Sequence, residues 1–265
     1  MLNPVDYDQH QSKVYARGRA LAPEILADWM LAFARHAPAG RPLSVLDLGS
    51  GTGRFTPGLA ETFGGPVHGV EPSFGMRQAA LADALHPAVT YLAGSADAIP
   101  LPDASVDLVL LYLVWHHVPD RAAAAAEIRR VLRPGGRVLV RSTFGDRLPE
   151  SSWRDYFPRA TELEAMIFPS TMQVEEEFSV AGLGRVALEV VRIQTPDDYA
   201  AYAERLHMKA ISIFEHLTEE EILQGFARLD ADVAAGHATF RLAEDGDLLV
   251  LELPTRAGRR TTADA

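Results

Sequence analysis

Between residues 43 and 141 short apolar runs alternate with helix-length segments, and that rhythm leaves few folds open. The runs lie at 43–48 (LSVLDL), 66–71 (PVHGVE), 88–92 (AVTYL), 106–114 (VDLVLLYLV) and 137–141 (RVLVR), with helix-length stretches at 54–63, 73–85 and 119–132. Near-continuous apolar strands are buried on both faces, and strands alternating with helices form a parallel sheet joined by right-handed crossovers. The 119–132 segment carries its own punctuation. Asp120 is placed to cap it, AAAAAEIRRVL has high helix propensity, and Pro134-Gly135-Gly136 is placed to stop it.

The flanks read differently. A helix is expected over 5–36, where Leu21, Ile25, Leu26, Trp29, Met30 and Phe33 share helical spacing and Pro23 lies near a start. The stretch 35–42 breaks it. Beyond 142, residues 151–180 read as helix, 185–193 as a strand and 196–236 as two or three helices, with Thr218 and Glu221 as a capping box. Residues 238–253 read as a hairpin turning at Glu244–Asp247, with 248–253 as the last strand. The expected organisation is a helical cap (1–42), a core (43–142), the rest of the sheet with helical insertions (143–255) and a frayed tail (256–265).

Composition narrows the function. Lys plus Arg is 25 against 36 Asp plus Glu, a net charge of −11 over 265 residues. That balance disfavours a nucleic-acid backbone or an anionic membrane as partner. Cysteine is absent, so thiolate metal sites and disulfides are excluded. No signal-peptide core stands at the N-terminus, and no apolar run approaches the roughly 18 residues of a membrane span. A cytoplasmic protein is expected. Its basic residues are all arginine save Lys13 and Lys209, a bias typical of GC-rich bacterial genomes rather than of any function.

The strongest local signal is VLDLGSGTGRF (45–55), with Gly49, Gly51 and Gly53 after a buried strand. Glycine allows a sharp turn and close approach of a ligand to the main chain. Dinucleotide loops need G-x-G-x-x-G for a pyrophosphate. Here the third glycine comes one residue early, and Asp47 precedes the loop. An acid there suits a cofactor with an ammonium group. Glu71, eighteen residues after Gly53, ends the second strand and is placed to accept from ribose hydroxyls. Ribose and ammonium without pyrophosphate describe S-adenosylmethionine.

In these segments the chain resembles the class I S-adenosylmethionine-dependent methyltransferases, within the small-molecule group that includes the ubiquinone- and menaquinone-biosynthesis-like enzymes. The matching segments are VLDLGSGTG (45–53), GVEPSFGM (69–76), GSADAIPLPDASVDLV (94–109), WHHVPD (115–120) and VLRPGGRVLV (131–140). The resemblance implies a doubly wound α/β fold, a seven-stranded, mostly parallel sheet with the last strand antiparallel, and helical additions forming a lid. It implies that Gly49, Ser50, Gly51, Thr52 and Gly53 line the methionine and ribose part of the cofactor and that Glu71 takes the ribose hydroxyls. Pro72 and Met76 would pack near the adenine, Ser95 and Ala96 would reach its edge, and Leu113 would flank the methyl-bearing end. Ser95 stands where relatives often carry Asp or Asn, with Asp97 two residues on. Arg19 matches a position that in several relatives lies near the cofactor carboxylate.

The acceptor side is less marked. His116 and His117 follow the fourth strand, where doubly wound folds bind ligands, and imidazole suits proton transfer near neutral pH. The same pair has a bland reading as pocket wall. Some relatives set such a histidine against a tyrosine of the N-terminal helix, for which Tyr15 and Tyr7 are the candidates; Tyr15 and Arg19 would share a helix face. His117, His116 and Tyr15 are thus the candidate catalytic groups, and Tyr7, Tyr15 and His117 the candidate acceptor contacts. Trp153, Tyr156, Phe157, Phe168, Met172, His207, Met208 and Phe214 populate the insertions and are lid core or pocket wall. The run Glu175–Glu177 reads as a solvated helix face. No metal-ligand spacing occurs among the histidines.

The expected function is methyl transfer from S-adenosylmethionine, giving S-adenosylhomocysteine, to O, N or C of a small molecule, with an aromatic or indolic secondary metabolite as the favoured acceptor. No metal, nucleic acid or membrane is expected to take part, and the chain should be a monomer or homodimer. A tRNA or protein methyltransferase and a non-catalytic cofactor-binding protein are the alternatives.

Overall fold

The computed structural model describes residues 21–148, 153–193, 198–209, 211–239 and 246–255. Among these, seven strands form one sheet: β1 (Leu43–Leu48), β2 (Gly64–Glu71), β3 (Val89–Ala93), β4 (Val106–Tyr112), β5 (Leu132–Ser142), β6 (Gly184–Val191) and β7 (Gly246–Glu252). Their order is β3-β2-β1-β4-β5-β7-β6. The pairings from β3 through β5 are parallel, and β7 runs antiparallel to both of its neighbours. This is the doubly wound, mostly parallel sheet that the rhythm implies, with the antiparallel last strand that the resemblance implies.

Alternation along each strand sorts the side chains onto two faces. Leu46, Leu48, Val109, Leu111, Val138 and Val140 pack under α4 (Arg121–Val131) and α6 (Thr171–Val180). Val45, Val67, Leu108, Leu110 and Leu139 pack under α1 (Pro23–His36) and α2 (Thr56–Phe63), where Trp29, Phe33 and Phe63 are fully buried. Helix α3 (Phe74–Asp83) lies between β2 and β3 in the chain. The order of the sheet reverses between β1, whose crossover leads to β2, and β4 on its other side. Open α/β sheets bind ligands at such a switch point, outside the carboxyl ends of the strands.

A third apolar cluster stands apart from the two sheet faces. It is built by α5 (Pro158–Ile167), α7 (Tyr199–His207), α8 (Glu219–Ala235) and the 3₁₀ turns Trp153–Tyr156 and Ser212–His216. Trp153, Phe157, Phe214 and Phe226 meet there ring to ring, with centroids 5.1–5.7 Å apart. Beside it Arg154 pairs with the buried Glu164. This is the lid. Among the described residues no helix is long and apolar enough to cross a membrane.

Several boundaries differ from those expected, each for a physical reason. Helix α1 begins at Pro23, and Ala22 is extended, so Leu21 lies outside it; proline disfavours helical geometry in the residue before it. The remainder of the expected 5–36 helix lies outside the described residues, as does the 256–265 tail. The expected 151–180 helix is broken at Phe168–Ser170, where Pro169 intervenes and Ser170 starts α6 with a capping box to Gln173. Helix α4 hands over to β5 at Leu132, ahead of Pro134, because Leu132 already pairs with Val106. β7 is not the arm of a local hairpin. Asp247 sits within the strand opposite Ser142 and Val190, and the apolar run Leu248–Leu251 fills the slot between β5 and β6. The expected turn residues 244 and 245 lie outside the described residues.

Gly225 tests the lid's packing. A β-carbon there would stand 2.2 Å from the Phe157 ring, which is itself buried. Alanine raises intrinsic helix stability by about 0.5–1 kcal/mol over glycine. Overpacking a filled core costs about 1–3 kcal/mol. Gly225→Ala should therefore lower stability in denaturant unfolding; a gain would show that the aromatic cluster has room to yield.

Candidate functional site

A cleft of about 430 Å³ opens at the carboxyl ends of β1, β2 and β4, beneath the lid. That volume lies within the ordinary range of small-molecule sites. Its floor is the loop after β1. Gly51 sits there at φ +56°, with no atom within 4 Å of where a β-carbon would be, so a side chain would project into open space beside the cleft. Gly53 serves a different purpose: a β-carbon there would meet the Tyr91 hydroxyl at 2.2 Å and Ala84 at 2.7 Å. It lets the loop pack against β3.

Glu71 ends β2 and is buried. Its Oε2 accepts from the Gly51 N–H at 3.0 Å, and its Oε1 accepts from the Ser73 N–H at 2.9 Å. Hydrogen bonds to an ionised acceptor are the strong ones. The pair ties the glycine loop to the start of α3 and leaves the carboxylate on the cleft wall. Pro72, Met76, Ser95, Ala96 and Asp97 continue that wall, and Ala98 donates its N–H to the Ser95 carbonyl at 3.2 Å.

On the far side of the switch point, β4 ends at Tyr112 because Leu113 adopts φ +57°, a left-handed conformation uncommon for a non-glycine residue. The Leu113 N–H donates to the Arg141 carbonyl at 2.9 Å, which holds the turn. Leu113, His116 and His117 all line the cleft. The two imidazoles lie 3.9 Å apart, and Phe168 packs edge-on to His116 at 4.4 Å. The 3₁₀ turn Trp115–His117 is anchored from below. Trp115 stacks on Phe178, and its Nε1 donates to Glu177 Oε2 at 2.7 Å; Arg121 also pairs with Glu177. The acidic run is therefore not simply a solvated face. Glu177 fastens α6 under the histidine turn, and Glu175 pairs with Arg185.

Of the residues singled out from sequence, Gly49, Gly51, Glu71, Pro72, Met76, Ser95, Ala96, Leu113, His116 and His117 come together around one cleft. Ser50, Thr52 and Gly53 do not line it. The Ser50 hydroxyl turns instead toward Gly69, 3.0 Å from where a β-carbon there would be. Tyr7, Tyr15 and Arg19 lie outside the described residues. Asp47 does not face the cleft either, because it alternates onto the α1 and α2 side of β1. It accepts from the Thr56 hydroxyl at 2.7 Å at the start of α2. Burial, reinforced by the nearby Glu71, pushes its carboxyl up to about 6 against the opposing Thr56 hydrogen bond and Arg54 charge.

None of the eight insertion residues weighed as lid core or pocket wall lines the cleft. Trp153, Phe157 and Phe214 are lid core, the Tyr156 hydroxyl donates to Asp232, and Met172 and Met208 are exposed. His207 pairs with Asp230 on the outer side of the lid. The lid instead supplies Ile167, Ser212 and His216, which sequence reasoning passed over. Tyr112 was also missed; it lines the cleft with Phe55 4.1 Å behind it.

The methyltransferase-domain family model matches residues 46–140. An uncharacterized methyltransferase-like protein of Schizosaccharomyces pombe is 32% identical over 194 residues, spanning 70% of this chain and 71% of its own. The chain belongs to the S-adenosylmethionine-dependent methyltransferase family. An uncharacterized methyltransferase of Mycobacterium tuberculosis is 45% identical over 138 residues, 51% of each chain. The chain thus spans about half the length of the first curated relatives it matches. A solved structure from Anabaena variabilis, described as a candidate methyltransferase of an antibiotic biosynthesis pathway, shares the fold with a TM-score of 0.68 at 24% identity. The match covers 89% of this chain and 99% of that one.

Asp47 gives this family member a measurable pH signature. A carboxyl raised from 3.8 to about 6 binds its proton more tightly folded than unfolded. Its contribution therefore favours the fold below about pH 4 and is lost as pH rises through about 6. Asp47→Asn keeps an acceptor for Thr56 and removes the titration. The stability of the variant relative to wild type should rise by about 1–3 kcal/mol between pH 4.5 and pH 7. A difference that does not change with pH would show that Asp47 titrates normally.

Proposed function

We propose that the protein transfers a methyl group from S-adenosylmethionine to oxygen, nitrogen or carbon of a small-molecule acceptor, with an aromatic or indolic secondary metabolite as the favoured class. One observation carries this reading. A buried carboxylate and an open glycine on one side of the switch point share a single cleft with two imidazoles on the other. The first pair suits a ribose and the curved backbone of a nucleoside cofactor. Each oxygen of a carboxylate can accept more than one hydrogen bond, so Glu71 can take ribose hydroxyls while still holding the loop. Gly51 leaves room for the methionine portion, and Met76, Pro72, Ser95 and Ala96 would enclose the adenine.

When bound, the cofactor supplies a methyl group already activated by its sulfonium, so the chain's work is placement. Leu113 and Tyr112 wall the space between the cofactor end and the histidines. A hydroxyl, amine or indole acceptor loses a proton at or after methylation, and His117 is the more exposed of the two imidazoles on the rim. His117 takes that proton, while His116 packs against Phe168 and supports it. The Trp115–Glu177 bond keeps the turn in place during transfer. The net charge of −11 supports a small molecule over tRNA.

The test is turnover of isotopically labelled S-adenosylmethionine with a cell extract, read by mass spectrometry of the labelled product. His117→Ala should lower the maximal rate by about 10²–10⁴-fold, the usual worth of general-base catalysis, with cofactor affinity unchanged by calorimetry. A loss confined to KM, with the maximal rate and its pH profile intact, would reject the base role. Binding of a nicotinamide dinucleotide in place of S-adenosylhomocysteine would reject methyl transfer itself.

A further inference from the structure

The lid turn Ser212–His216 is two-sided. Ile213, Phe214 and Leu217 point into the lid's aromatic cluster and are buried there. Ser212 and His216, at the two ends of this 3₁₀ turn, both line the cleft. The anchoring is tight. Phe214 meets Trp153, Phe157 and Phe226 at 5.2–5.6 Å, and Thr218 immediately caps α8 through its bond to the Glu221 N–H. A polar side chain held between two buried neighbours, Phe214 and Leu217, is pre-organised toward whatever fills the cleft.

The cleft beside it is lined by the apolar Leu113, Val114, Val118 and Ile167 and by the imidazoles of His116 and His117. The charged side chains of the cleft among the described residues, Glu71 and Asp97, stand on the β2 and β3 side of the sheet, away from the lid. The lid end therefore offers apolar contact and hydrogen-bonding groups, imidazoles and a hydroxyl, with neither a carboxylate nor a guanidinium among these residues. An ionic group brought there would lose hydration with no carboxylate or guanidinium beside it among these residues. We propose that His216 is the specificity-determining contact of the acceptor site, and that it selects a flat, uncharged acceptor through a hydrogen bond to its hydroxyl or N–H group, seconded by Ser212. This rests on the methyltransferase reading, because it assumes that the cofactor fills the other end.

Three probes on one ring separate the possibilities: 2-naphthol, 2-naphthoate and 2-naphthylmethylammonium, titrated at pH 7.5 into protein saturated with S-adenosylhomocysteine. The neutral probe should bind at least roughly tenfold more tightly than either ion. His216→Ala should weaken 2-naphthol roughly five- to tenfold, the value of one hydrogen bond, while His216→Asn retains most of the affinity. Thermal unfolding and the affinity for S-adenosylhomocysteine should match wild type in both variants, which a merely structural role would not allow. Equal or tighter binding of either ion, no binding of any probe, or an unchanged 2-naphthol affinity in His216→Ala would overturn the proposal. Failure of S-adenosylhomocysteine to bind wild type, seen in the first titration, would instead remove the cofactor reading and this one with it.

Discussion

Two backbone N–H groups close onto one carboxylate, and the cleft depends on that closure. Glu71 holds Gly51 in the loop after β1 and Ser73 at the start of α3. Hydrogen bonds to an ionised partner contribute about 1.5–3 kcal/mol each. They act where the sheet order reverses, so the loop, β2 and α3 are set as one unit facing the ends of β4. The same residue that would recognise a ribose thus also shapes the floor on which it would rest. Burial makes this arrangement sensitive to neighbours, and the Asp47 carboxyl one layer below is held high partly by Glu71 itself.

Around this unit the fold divides its labour. The two sheet faces are filled by α1 and α2 on one side and α4 and α6 on the other. The lid has a core of its own, so its cleft-facing residues can differ without disturbing the sheet. Glu177 joins the two functions. It belongs to a helix that covers the sheet, yet it holds the indole on which the histidine turn stands. The histidine side of the cleft is therefore braced by α6 from below and faced by the Ser212–His216 turn.

The glycine-loop side of the cleft was legible in the sequence because its residues sit in short contiguous motifs after strands. A strand, a glycine turn and an acid at the next strand end keep their geometry wherever they occur, so Gly51 and Glu71 could be placed by spacing alone. Asp47 could not, because period-2 alternation on β1 decides its face and α2 supplies its partner. The lid was legible only as helices. ISIFEHL (211–217) carries a two-sided pattern, but it spans a single turn, too short for periodicity to reveal which side meets the cleft. The insertion aromatics that read as lid core or pocket wall are large enough to build the lid core, and Trp153, Phe157 and Phe214 are used there. β7 was misread as a local hairpin arm because its true partners, β5 and β6, lie far from it in sequence.

The most direct measurement is a double-mutant cycle between Glu71 and the ribose. S-Adenosylhomocysteine and its 2′-deoxy analogue are titrated calorimetrically into wild type and Glu71→Ala. If Glu71 holds the ribose, deleting the 2′-hydroxyl should weaken binding roughly tenfold in wild type and hardly at all in the variant. Equal losses in the two proteins would show that Glu71 only braces the glycine loop, and would contradict the assignment of this cleft to the cofactor's ribose.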